Sequence, residues 1–239
     1  MIMGMITGMT TATATIMTTE NADQSLLRLL TWLSPAFPVG GFAYSGGLEA
    51  AVREGHVGNA ADLRDWLDFA LTHGPAWNDA VLLAEAWNAG RDRARLTEAA
   101  DLARALAGSA ERHLESTAQG DAFTEATRPW LSHDIHGIDQ DMPYCIAVGA
   151  VAAASGVALH ATLVAWLHAL SSQLVSAAIR LSVLGQREAV GLLQSLEPVI
   201  LLAAGRAQST TLGDLGSAAV ISDILTARHE NLGVRLFRS

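Results

Sequence analysis

Apolar residues recur along this chain at intervals of three and four, the spacing that lays a stripe along one face of an α-helix. The clearest case is residues 60–73, where Leu63, Trp66, Leu67, Ala70 and Leu71 share a face. Asn59 stands at the N-cap position, Asp62 is placed to answer it, and Gly74-Pro75 closes the segment. Ahead of it, Asn21 or Asp23 caps a helix carrying Leu26, Leu27, Leu29, Leu30 and Leu33, which Pro35 stops. A stiff apolar loop, PAFPVGG, follows at 35–41, and then a predicted helix over 43–54 that ends at Gly55. Helical patterns continue over 77–88, 96–130, 142–155, 161–184, 188–204 and 215–227. Breaks are expected at Gly90, Gly108, Gly120, Pro129, Gly185 and between Gly205 and Gly213, with Pro198 kinking or restarting its helix.

No segment alternates apolar and polar residues for long enough to demand a strand. The expectation is therefore all-α: one helical bundle of roughly eight to ten helices over residues 24–228. Residues 1–23 read as a mobile tail or an early start codon, and 229–239 as a carboxyl tail. The first twenty residues lack the basic start and sustained apolar core of a signal peptide. Residues 142–179 contain no Asp, Glu or Arg, a run longer than a bilayer crossing needs. Its Ala, Gly and Ser content, His160, His168, Gln173 and the break at Ser155-Gly156 favour buried helices and no membrane.

Composition narrows the chemistry. The net charge is −9 without a basic stripe, so nucleic acid is not an expected partner. All fifteen basic residues are arginine. The lack of lysine excludes a P-loop lysine, a lysine Schiff base and serine–lysine hydrolysis. Cys145 stands alone, which rules out an internal disulfide and fits a reducing, cytoplasmic setting.

Ser45 in AYSGG imitates a nucleophile elbow, but a proline loop precedes it where that motif needs a strand. Close helix packing explains its small residues. The stretch SHDIHGIDQD at 132–141 is the one metal-like cluster, with His133 and His136 as weak candidate ligands for nickel or zinc. A solvated loop is the bland reading of it, and a helical metal- or small-ligand-binding regulator the functional one. His160 and His168, two turns apart, read as core or interface histidines, and the six tryptophans as core. No paired acid and base, triad or phosphate cradle assembles, so the chain is expected not to be an enzyme.

Three blocks resemble the UreF family of urease accessory proteins. Residues 29–49, LLTWLSPAFPVGGFAYSGGLE, are similar to the family's Ser-Pro-Ala-x-Pro-[VI]-Gly-Gly-Phe core leading to Gly-Leu-Glu. Residues 177–186, AAIRLSVLGQ, resemble its Ala-Ala-x-Arg-Leu-x-Pro-Leu-Gly-Gln segment, with Val183 in place of proline. The ending, HENLGVRLFRS at 229–239, resembles its His-Glu…Arg-Leu-Phe-x-Ser terminus. The resemblance implies an all-α homodimer that joins UreD (also called UreH) and the nickel GTPase UreG. It further implies GTP-dependent nickel delivery to apo-urease, with nickel handled by the complex and no cofactor bound stably.

On that basis the two ends are candidate partner surfaces. Phe37, Val39, Phe42 and Tyr44 sit in or beside the stiff loop, followed by Glu49. They either anchor a partner or plug the chain's own core. His229, Glu230, Arg235, Leu236, Phe237 and Arg238 form the carboxyl end, expected to be mobile until bound. Glu49 and Glu230 could pair with arginines inside the fold or face a partner. Arg180, in an apolar helix, is expected to make a buried structural pairing, with an arginine finger on the GTPase as the other possibility.

Overall fold

The computed structural model describes residues 21–131, 140–216, 218, 220–230 and 232–238. Helix α1 covers 21–32, and α2 is Leu48–Arg53. The bundle then runs through α3 (Ala60–His73), α4 (Pro75–Ala89), α5 (Arg93–Ala105) and α6 (Ala110–Thr127). Helices α7 (Tyr144–Ala154), α8 (Leu159–Arg180), α9 (Gln186–Ser209) and α10 (Val220–His229) complete it. Single 3₁₀ turns stand at Gly41–Ala43, Arg128–Trp130 and Leu212–Asp214, and no strand occurs among the described residues. The all-α expectation holds.

Local chemistry sets the ends. Asn59 Oδ1 accepts from the Ala61 and Asp62 amides at 2.8 and 3.1 Å, while Asp62 Oδ2 accepts from the Gly58 amide at 3.0 Å. The Asn59 cap on α3 is therefore present, and Asp62 answers it through Asn59 Nδ2, at 2.8 Å, and the preceding Gly58 amide, not through the Asn59 amide of a capping box. Asp92 and Ser109 cap α5 and α6 in the same way, accepting from Arg95 and Arg112 amides.

The centre is the contact between α4 and α7. Residues Ala80 to Ala84 of α4 are all buried, as is every residue of α7 from Cys145 to Ala152. Helices α3, α5, α6, α8 and α9 pack around this pair, with α8 lying along α9. Residues 142–179 are thus two packed helices broken at Gly156, not one continuous span. Helices α8 and α9 do have the length and hydropathy of a bilayer crossing, and half of that stretch in α8 is buried against the bundle.

Several predicted boundaries move. The helix expected over 43–54 shrinks to α2, because Gly46 and Gly47 adopt φ of 57° and 81° and interrupt it. The break expected at Gly108 is present and divides the pattern over 96–130 into α5 and α6. Gly120 does not break α6; a Cβ there would lie 1.8 Å from the Met142 carbonyl oxygen, so glycine lets the helix rest on that backbone. Pro198 does not end α9. It lies on the exposed face, and so does Gln194, whose carbonyl finds no amide donor at the proline. Helix α10 extends to His229, which moves that residue from the expected tail into the bundle. With Val183 in place of proline, α8 still ends at Arg180, and Ser182 turns the chain at φ 63°.

Candidate functional site: the loop, the buried glutamate and the carboxyl tail

Helix α2 is short, yet it carries the residue around which both chain ends gather. Glu49 is completely buried. Its Oε1 accepts from Arg53 Nη2 at 2.7 Å and from the Leu236 amide at 3.0 Å. Its Oε2 accepts from the Phe237 amide at 3.0 Å and faces His229 Nε2 at 3.2 Å. Burial pushes the Glu49 carboxyl up, but the Leu236 and Phe237 amides, His229 and Arg53 together outweigh it and hold it below its ordinary value.

His229, also fully buried, bridges to a second carboxylate: its Nδ1 lies 2.7 Å from Glu111 Oε2. Arg235 pairs with the other oxygen of Glu111, and the Glu111 amide donates to Glu230 at 3.2 Å. One path of hydrogen bonds therefore joins α2, α6, the end of α10 and the tail. Close approach makes this possible, for a Cβ on Gly47 would stand 2.5 Å from Thr226 Oγ1 and 3.3 Å from its Cα. Only glycine accepts both that contact and the left-handed φ.

The expected mobile tail is instead laid across the chain's own surface. Its backbone is fixed by Glu49 and by the Arg238 amide, which donates to the Ala43 carbonyl at 2.8 Å. Phe237 points inward and is 3% exposed, while Leu236 and Val234 are 57% and 77% exposed. Arg238 is exposed too.

The loop divides in the same manner. Phe37 is buried against Phe123 and Trp130, with ring centroids 5.7 and 6.4 Å away, and Tyr44 is buried. Val39 is partly buried against the core. Phe42 alone faces outward, 62% exposed. Of the candidate residues, then, Phe37, Tyr44, Glu49, His229 and Phe237 have side chains taken up by this fold. Phe42, Leu236 and Arg238 remain available, with Arg235 and Glu230 partly engaged. The core-plug reading applies to the first group.

Arg180 makes no ion pair among the described residues. Its guanidinium lies 3.7 Å from the Phe42 ring centroid and 4.2 Å from that of Phe237, and Nε and Nη2 are buried without a hydrogen-bond partner. Burial pushes it down from its ordinary value. Glu111 and Arg53 escaped sequence reasoning. The signal available for Arg53 was its place four residues after Glu49; for Glu111 there was none, because its partners are distant in sequence.

Beside the loop opens a cavity of about 890 Å³, bordered by Leu26, Leu30, Phe42, Trp166 and Leu170. His160 and His168 of α8 also line it and are exposed, so they are not core histidines. On its floor lie Arg112, paired with Asp79 and with Glu115 at 3.4 Å, and Cys145, whose thiol burial pushes well up. Ser45 is buried and its Oγ accepts from the Glu49 amide at 3.3 Å, ahead of α2 with no strand before it, unlike a nucleophile elbow. His133 and His136 lie outside the described residues. Among the described residues no group of three or more His, Cys, Asp or Glu is placed to hold a metal ion.

The UreF family model matches residues 57–197. The urease accessory protein UreF of Agrobacterium fabrum is 53% identical over 223 residues, covering 93% of this chain and 100% of that protein. UreF 1 of Brucella anthropi is 50% identical over 222 residues, covering 93% and 97%, and UreF of Mesorhizobium japonicum is 49% identical over 223 residues, covering 93% and 100%. These relatives bear the names of accessory proteins and not of enzymes, and with such identity along nearly its whole length this chain belongs to the UreF family of urease accessory proteins.

Proposed function

We propose that, within urease maturation, this chain bridges UreD (UreH) and the nickel GTPase UreG and regulates GTP-dependent nickel delivery to apo-urease. It does so by binding, as a cytoplasmic homodimer, without bond-making chemistry of its own and with nickel as cargo of the complex. The observation that carries the reading is the division of the two ends. A buried polar anchor at Glu49 fixes the tail backbone, while Phe42, Val234 and Leu236 are left facing solvent above it. Apolar side chains exposed on a segment already held in place lose little entropy on docking. The apolar cavity beside Phe42 extends this surface.

The chain supplies no P-loop and no lysine, so the GTPase chemistry belongs to the partner. Arg235 is paired with Glu111 and Arg180 is stacked between rings, so neither is presented as an arginine finger in this conformation. Deleting residues 234–239 should abolish capture of UreD while leaving the helical circular dichroism unchanged. Retained capture by the deletion variant defeats the reading. The point variant Leu236→Ala narrows it: its backbone amide still reaches Glu49, so weaker capture reports the side chain at the interface.

A further inference from the structure

Phe42 and Phe237 come from opposite ends of the chain, yet one cation lies between their rings. Each ring face sits within about 4 Å of the Arg180 guanidinium, the range in which the aromatic quadrupole attracts a cation. Because Nε and Nη2 are buried with no hydrogen-bond partner among the described residues, the ring faces are the contacts that offset their burial. Hydrogen bonding joins the same two segments once more, through the Arg238 amide and the Ala43 carbonyl. Phe237 in turn places its own amide and that of Leu236 on Glu49.

We propose that Arg180 is a positioning residue that couples the loop to the carboxyl tail. Removing Phe42 from the guanidinium uncovers it to water, and a hydrated arginine leaves Phe237. The tail amides then loosen from Glu49. By reciprocity, loss of Phe237 loosens the loop. Any partner that grips Phe42 therefore alters the hold on the tail. The proposal builds on the reading of these segments as a partner surface, but the coupling belongs to the free chain and is measured there.

The test is amide hydrogen exchange on the full-length protein. Phe42→Ala should raise exchange of the Leu236, Phe237 and Arg238 amides by about two- to fivefold, the factor a surface cation–π contact commands. Arg180→Met, which keeps length and apolar bulk but not charge, should raise exchange in both segments. In that background Phe42→Ala should add nothing. Arg180→Lys should restore part of the coupling, whereas a space-filling role would make the Lys and Met variants alike. Unchanged tail exchange in Phe42→Ala, or an undiminished Phe42 effect in the Arg180→Met background, overturns the proposal. If Arg180→Met fails to fold by circular dichroism, the cycle with Arg180→Lys decides: a Phe42 effect as large as in wild type overturns it, and a reduced one supports it. Failure of wild-type protein to capture UreD would sink the partner reading alone and leave this cycle standing.

Discussion

The α4–α7 contact and the Glu49 anchor are both buried, but different forces hold them. At the first, alanine, valine, leucine and isoleucine are removed from water, a gain that is non-directional and scales with area. At the second, one carboxylate is satisfied by two amides, an arginine and a histidine, and removing any of them leaves a buried polar group short of a partner. Burial by area tolerates small shifts and fails only with the whole domain. Burial by hydrogen bonding is specific, local and sensitive to charge, which suits a segment that must be held and yet handed over.

The largest expected effect separates the two. Leu83→Ala, at a fully buried position of α4, should cost about 2–5 kcal/mol of global stability, read from urea unfolding. Tail and core amides should then lose protection only as far as global unfolding dictates. Next in size, Glu49→Gln should cost about 1.5–3 kcal/mol, the worth of hydrogen bonds to a charged group. That loss should appear first at the Leu236 and Phe237 amides. Equal loosening of α4 and the tail in this variant would erase the distinction between the regions.

The difference also decided what could be read from sequence. Periodicity reports which face of a helix is apolar, so Leu63, Leu67 and Leu71 and the Asn59 cap were legible. Helix α2 was overextended because Gly46 and Gly47 look like small residues for packing until their left-handed φ is seen. The candidate residues Glu49, His229, Arg235 and Phe237 were found through motif resemblance, but their contact with one another was not, since a hydrogen bond between α2 and the tail leaves no local pattern. For the same reason the partners in the buried structural pairing expected of Arg180 could not be read: they are two rings from distant segments.

Acidity offers the smallest effect and the sharpest contrast, because the two regions carry shifts of opposite sign. The Glu49 carboxyl is held below its usual value near 4.5, so its contribution is full above that value and is lost as pH falls through the folded pKa. Asp79, on the α4 side, is pushed above its usual value near 3.8 by burial, against the opposing pull of Arg112 and of a hydrogen bond with Cys145. Its contribution is full below 3.8 and is lost as pH rises through the raised pKa. Mild acid should therefore loosen the tail while relieving strain at the centre. Exchange protection, corrected for the intrinsic pH dependence of amide exchange, should fall at Leu236 and Phe237 relative to α4 as pH drops below about 4.5. Glu49→Gln should flatten the tail response and leave that of α4 in place, and Asp79→Asn should do the reverse. Tail and centre moving in parallel across this range would mean that one cooperative unit, and not two differently held regions, governs the carboxyl end.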